Sequence, residues 1–251
     1  MNELLKAIAY PTIDDIKSAL FIQPHPDDNE IGAGGTMIKL VQKGIPVYGL
    51  TVTEGRGGSN IYTPEELAEI RKIEADESMK ITGVKNLGCL GYHDNNPIIH
   101  KKLVEDLVKV IREIKPDAIF TVDDKLENEL HPVHLAVGKA VREAFFRSGQ
   151  NFYPFEDGIK HEDSHTCRII GFYFTEDENT IVDITDVYPQ KRQAILAHKS
   201  QVNEKLMTMY DGLFTLLSSD HPNKMVERLK LLYEIHTHCF TIPKFLKDQI
   251  K

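Results

Sequence analysis

A short apolar run, Ala19-Leu20-Phe21-Ile22-Gln23, ends in Pro24-His25-Pro26-Asp27-Asp28, and a glycine-rich stretch with Gly32, Gly34 and Gly35 follows. The run reads as a buried strand and the glycines as a tight turn. No other stretch constrains the fold as much, because one imidazole and two carboxylates must sit at the end of a core strand. Enzymes with α/β folds carry their chemistry at such strand ends. A histidine with a carboxylate three residues on can bind a divalent metal and leave the second carboxylate free as a base.

Further apolar runs predict strands at Val47–Thr53, Asn86–Leu90, Ala118–Val122, Arg168–Phe174 and Ile181–Ile184. Helical patterns lie between them, at Gly35–Lys43, Pro64–Lys80, His100–Ile114 and His131–Phe146. Thr63 before Pro64, with Glu66 three residues past it, is a helix-start signature. This alternation predicts an α/β fold, a largely parallel sheet with helices on both faces. Beyond about residue 186 the pattern turns helical, at Lys191–His198, Val202–Leu217 and Asn223–Phe240. These segments are expected as extra C-terminal helices packed on the sheet. Gly149–Cys167 is polar and reads as a long surface loop of the kind that recognises substrate. Nothing marks a second domain, so the 251 residues are expected to form one.

Composition narrows the partners. The formal net charge is −8 and there is no Lys/Arg-rich run, which argues against nucleic acid. Cys89, Cys167 and Cys239 are far apart and form no C-x-x-C, so neither a disulfide framework nor a cysteine zinc knuckle is expected. The N-terminus has no basic stretch leading into an apolar core, and no segment approaches about 18 uninterrupted apolar residues. A cytoplasmic protein without a membrane partner is expected.

A second histidine pair, His131-Pro132-Val133-His134, opens the helix after the fourth strand. Positions three apart share a helix face. In the common strand order 3-2-1-4-5, strands one and four are neighbours, so the loops carrying His25, Asp27, Asp28, His131 and His134 would meet in one crevice. A His-Asp-His set suits a catalytic zinc with open positions for water, and zinc brings the pKa of such water to about 7. A carboxylate outside the ligand set can take the proton. A spare histidine can stabilise an oxyanion or protonate a leaving amine. His and carboxylate ligands also accept iron, cobalt or manganese. The glycines after the first strand imitate a dinucleotide fingerprint. However, Met37 holds the third glycine position, and acidic residues in the turn would repel a pyrophosphate.

At these residues the chain resembles the PIG-L/LmbE-type de-N-acetylases, a family that includes N-acetylglucosaminylphosphatidylinositol de-N-acetylase, the mycothiol- and bacillithiol-pathway deacetylases and diacetylchitobiose deacetylase. The matching stretches are Pro24 to Thr36, Thr53-Glu54-Gly55-Arg56-Gly57-Gly58, Arg71 to Glu74, Leu90-Gly91-Tyr92-His93-Asp94 and His131 to His134, with a weaker continuation through His198-Lys199-Ser200-Gln201. The resemblance implies a Rossmann-like fold and removal of an N-acetyl group from an N-acetylglucosamine-bearing small molecule. It implies zinc on His25, Asp28 and His134, Asp27 as general base, and His131, protonated, holding the tetrahedral intermediate. Arg71 and Asp94 match substrate-contacting residues, and His236 and His238 are further candidates, since some relatives bring a C-terminal histidine near the site. Relatives are often trimers or hexamers. The second motif often reads His-Pro-Asp-His; here Val133 takes the place of the aspartate, and a carboxylate that could orient a neighbour is missing.

Plainer readings stand beside these. Arg71 and Glu74 lie on a charged helix and could form an exposed salt-bridge face. Asp94 could cap the next helix, and His131 could be no more than a helix cap. His161, His165 and Cys167 have loose metal spacing in a polar loop. Asp123 and Asp124, at the end of the fourth strand, are candidates to orient a ligand histidine. Two other functions stay open: an amidase acting on another acyl amine such as a thiol conjugate, and a nucleotide- or sugar-binding protein without turnover.

Overall fold

Along the central strands apolar side chains alternate between the two faces of a sheet. In β1 (Ala19–Gln23), Ala19 and Phe21 join the core on one face, and Leu20 and Ile22 the core on the other. β4 (Ala118–Val122) follows the same pattern, and its Phe120 stacks on Phe21 with 4.3 Å between ring centroids. Both strands are buried along their whole length, as central parallel strands covered on two faces must be. The structure is a computed structural model and describes Glu3 and residues 8–238.

The other strands are β2 (Val47–Thr53), β3 (Lys85–Tyr92), β5 (Ile169–Tyr173), β6 (Thr180–Asp183) and β7 (Val226–Tyr233). The sheet runs β3-β2-β1-β4-β5-β7-β6. The first five positions are parallel in the expected 3-2-1-4-5 order, and β7 is antiparallel to both β5 and β6. α1 (Asp28–Gln42) and α2 (Pro64–Thr82) cover one face, and α3 (His100–Ile114) and α4 (Pro132–Arg147) the other. α5 (Tyr188–Leu196) packs on α1 and α2, with α6 (Glu204–Leu217) outside it. Among the described residues no helix is long and apolar enough to cross a membrane. The expected capping box of α2 is present, Thr63 accepting from the Glu66 N–H and Glu66 accepting from Thr63.

The segment Asn223–Phe240, expected as a helix, is instead β7 and a short turn, Glu234–Thr237; its last two residues lie outside the described ones. Leucine, lysine and arginine favour helices. Here Leu229 and Leu231 alternate into one core while strands pair on both sides, and that pairing outweighs local preference. The glycine-rich stretch expected as a turn is also different. It is helical, and α1 begins at Asp28 with a break at Ala33 (φ −143°). The glycines do allow close packing: a Cβ on Gly32 would stand 2.2 Å from the Tyr173 ring, and one on Gly35 2.6 Å from Ile184.

The break in α1 creates a second helix start, near the expected Gly35. Glu227 of β7 caps it, accepting from the N–H groups of Gly35 (2.8 Å) and Thr36 (2.7 Å) and from the Thr36 hydroxyl. Lys191 of α5 supplies the counter-charge at 2.7 Å, and Lys191 and Glu227 are both buried. Removing one partner of a buried ion pair leaves the other uncompensated, at about 3–5 kcal/mol. Glu227→Ala is therefore expected to lower unfolding free energy by about that amount in chemical denaturation, and adding Lys191→Met to recover part of it.

Candidate active site

The site is assembled at the carboxyl edge of the parallel strands, and its first component is the loop from Pro24 to Asp27. Every turn of that loop is tied down. Thr53 donates to the Pro24 carbonyl through both its N–H (3.0 Å) and its hydroxyl (2.9 Å). Arg71 donates to the Pro26 carbonyl at 2.6 Å. The Gln23 side chain accepts from the Asn29 N–H at 2.8 Å and donates to Thr51 at 2.9 Å. Asp27 sits at the helix-capping position with φ 134°, a region that residues other than glycine rarely enter. Its side chain caps nothing; Oδ2 lies 3.1 Å from Arg71 Nη2 instead. Such strain persists where surroundings over-determine it, commonly at functional sites.

The adjacent aspartates meet different cations. Asp28 Oδ2 lies 3.3 Å from His25 Nδ1, and Oδ1 lies 3.4 Å from His134 Nε2. Burial opposes its charge, yet His134 and His25 together hold its carboxyl well below the usual carboxylate range. For Asp27 burial prevails and pushes the carboxyl up to about 6, against the attraction of Arg71 and with the Asp28 charge adding to the rise. One carboxylate is firmly ionised and the other is poised near neutrality, the division that acid–base chemistry needs.

Three histidines close the site. The rings of His25 and His131, and of His131 and His134, are 4.7 Å apart between centroids, and those of His25 and His134 are 5.3 Å apart. One ligand atom from each lies within 4.8 Å of the others, so His25, His131 and His134 could hold a metal ion. This is the one such group among the described residues. The hydrogen bonds separate their roles. His134 Nδ1 is 2.8 Å from Glu129 Oε2, which keeps a proton on Nδ1, so it is Nε2, 3.4 Å from Asp28 Oδ1, that becomes the available donor atom when the ring is neutral. His131 Nδ1 accepts from the Val133 N–H at 3.3 Å, so a neutral ring carries its proton on Nε2 and is a donor there. Burial, with His25 and His134 nearby, holds the His131 pKa below its ordinary value. The resemblance implies a protonated His131; the lowered pKa and the Val133 contact favour a neutral ring that donates from Nε2.

Glu129 escaped sequence reasoning. It lies in a loop without periodicity, and its only signal was a carboxylate five residues before a histidine. Burial works against its charge, but the His131 N–H and the His134 ring keep its pKa below the ordinary value. It supplies an orienting carboxylate beside His134, while Val133 is buried in the core. Asp123 and Asp124, considered for the orienting role, bind Arg142, and Asp123 also accepts from Thr175.

Arg71 and Glu74 do not form an exposed face. Arg71, Glu74 and Ser78 are all buried along one side of α2. Arg71 also donates to the Gly55 carbonyl at 3.1 Å, and Glu74 accepts from the Ser200 N–H and hydroxyl, both at 2.7 Å. Asp94 accepts from the N–H groups of Arg56 (2.9 Å) and Gly57 (2.7 Å), shaping the loop after β2.

Other candidates lie at the opposite edge of the sheet. Tyr233 pairs with Ile169 at the start of β5, which carries His236 and His238 away from the histidine cluster within the chain. His236 Nε2 lies 3.0 Å from the Ile8 carbonyl. Gly149–Cys167 connects the end of α4 to the start of β5, and within it Glu156 lies 2.6 Å from Lys101 in the first turn of α3. In it His165 contacts the Pro116 carbonyl at 2.7 Å, and Cys167 is buried, its thiol pushed up to about 12 by that burial.

In metal-free protein, burial works against a charged His134, while the Asp28 and Glu129 carboxylates raise its pKa to about 9. Glu129→Gln removes one of these charges. The His134 imidazole is then expected to titrate at lower pH in an NMR titration, and an unmoved pKa would refute the pairing.

Comparison with known proteins places the chain. The family model for PIG-L, GlcNAc-PI de-N-acetylase, matches residues 20–145. The chain is 35% identical over 200 residues to the diacetylchitobiose deacetylase of Thermococcus kodakarensis, covering 79% of this chain and 75% of that one. It is 29% identical over 197 residues to a Bacillus cereus protein named "Probable N-acetyl-alpha-D-glucosaminyl L-malate deacetylase 2", covering 76% and 86% of the two. The structure of N,N'-diacetylchitobiose deacetylase from Pyrococcus horikoshii, solved with an inhibitor, superposes with a TM-score of 0.86 at 29% identity, covering 97% of this chain and 94% of that one. The matched stretch holds the whole site from His25 to His134, and the chain belongs to the PIG-L family.

Proposed function

We propose that the protein is a zinc-dependent hydrolase that removes the N-acetyl group from a small N-acetylglucosamine-bearing molecule. The observation that carries this reading is the convergence of His25, His131 and His134 around two aspartates with opposite electrostatic environments. Imidazole and carboxylate donors this close suit a divalent ion. His25, Asp28 and His134 would hold it, since each can turn an unprotonated donor atom inward. Bound there, the metal would polarise the amide carbonyl and bring the pKa of a coordinated water toward 7.

The chain's own groups do the rest. Asp27, lifted to about 6 by burial, takes the proton from the attacking water and can return it to the departing amine. His131 donates from Nε2 to the carbonyl oxygen as negative charge develops on it. Glu129 keeps the His134 ring in its working tautomer. Arg71 holds the Asp27 carboxylate and the carbonyl of Pro26 beside it. The free thiols Cys89 and Cys167 fit a reducing compartment such as the cytoplasm.

An acetate-release screen over N-acetylglucosamine, diacetylchitobiose and N-acetylglucosaminyl conjugates, with metal content measured on the same sample, tests the proposal. Release from at least one sugar in proportion to bound zinc is expected. Free amine from an acylated thiol conjugate, assayed beside the sugars, with no acetate from any sugar would move the assignment to an amidase, and bound ligand without release would make the protein a binder. His134→Ala is expected to abolish metal retention, and zinc unchanged in that variant would remove His134 from the ligand set. Asp27 must be ionised to act, so kcat/KM falls toward acid pH. Arg71→Met removes a charge that favours the ionised form, so the acid limb is expected to move to higher pH.

A further inference from the structure

Next to the helix turn that follows Asp27 lies a second set of polar groups. Glu30 comes from the first turn of α1, Ser78 from α2 and His198 from the segment after α5, and all three are completely buried. Glu30 Oε1 accepts from the Ser78 hydroxyl at 2.9 Å and lies 3.8 Å from His198 Nε2. Among the described residues five buried side-chain polar atoms have no hydrogen-bond partner, and four belong to this corner: Glu30 Oε2, both His198 nitrogens and Arg71 Nε. Buried polar atoms are costly unless paired, and their concentration in one place calls for an explanation. Filling space is not one, because an apolar side chain would do that better.

The charges supply an explanation. A buried glutamate needs a cation, and the His198 ring is near Glu30. Burial opposes protonation of His198, but the Glu30 and Asp27 carboxylates outweigh it and raise its pKa, with Arg71 opposing. Glu30 in turn stands three residues from Asp27, in the first turn of the helix whose capping position Asp27 occupies. The segment that carries His198 is clamped to α2 by Ser200 on Glu74, and the Gln201 side chain packs against Gly58. One face of α2 therefore holds Asp27 through Arg71, the His198 segment through Glu74 and Glu30 through Ser78.

We propose that His198, set against Glu30, is a positioning residue for Asp27: Glu30 stands in the first turn of the helix that Asp27 precedes, and α2 ties Asp27, Glu30 and the His198 segment together. This rests on the deacetylase reading, in which Asp27 moves protons. His198 is completely buried and lies outside the histidine group that could hold a metal, so its effect is expected to pass through Asp27.

The test compares wild type, His198→Ala, His198→Gln, Glu30→Gln and the double variant Glu30→Gln/His198→Ala. All are zinc-loaded and assayed for acetate release from N-acetylglucosamine and diacetylchitobiose, with zinc content and folded fraction measured on each sample. His198→Ala is expected to lower kcat by about 10²-fold, the scale of a misplaced catalytic group, with KM within about twofold and full zinc. His198→Gln, whose side-chain amide can donate to Glu30, is expected to recover part of kcat. The double variant is expected to lose less than the product of the single losses. A His198→Ala enzyme with kcat within about twofold of wild type would overturn the inference while leaving the deacetylase reading intact. So would a loss explained by missing zinc or unfolded protein. A zinc-loaded wild type that releases no acetate from any N-acetylated sugar would overturn the deacetylase reading, and this inference with it.

Discussion

Two adjacent carboxylates are drawn away from solvent at the end of β1, and the rest of the site answers to that constraint. Neighbouring buried charges of one sign repel and must be separated or neutralised. The chain separates them by direction. The strained backbone of Asp27 turns its carboxylate toward Arg71, while Asp28 turns toward His25 and His134. Gln23, Thr53 and Arg71 restrain the loop that makes this possible. Chemical difference between two identical side chains thus arises from backbone geometry and from which helix each one faces.

The fold divides its work between the two edges of the sheet. The carboxyl edge gathers the loops after β1, β2, β3 and β4, which hold the histidine cluster, the paired aspartates and the Asp94 brace. The opposite edge holds His165 and His236, which make structural contacts there. The antiparallel β7 serves the site from a distance. Its Glu227 caps the second half of α1, and the first half of that helix carries Asp28 and Glu30.

The central strands and the meeting of His25 with His131 and His134 were legible in the sequence, because each depends on a local run and on a common strand order. The different environments of Asp27 and Asp28 were not readable from the residues; they depend on a positive φ and on Arg71 packing, which no spacing encodes. The polar face of α2 was hidden for a related reason. Arg71, Glu74 and Ser78 recur at helical spacing among exposed charges, and only burial distinguishes them from a solvated face. Glu129 lies in an aperiodic loop, and His198 after a short helix whose contacts come from distant parts of the chain. β7 was obscured by helix-favouring leucines and by Glu227, a buried charge that breaks the alternation expected of a strand.

The central claim is that position alone divides two neighbouring aspartates into a metal ligand and a proton carrier. Zinc binding measured calorimetrically for Asp27→Asn and Asp28→Asn, beside acetate release from the same samples, tests it most directly. The account predicts near-native zinc affinity with turnover lowered by about 10²–10⁴-fold in Asp27→Asn, and lost zinc affinity in Asp28→Asn. Equal loss of zinc in both variants, or an active Asp27→Asn enzyme, would contradict it.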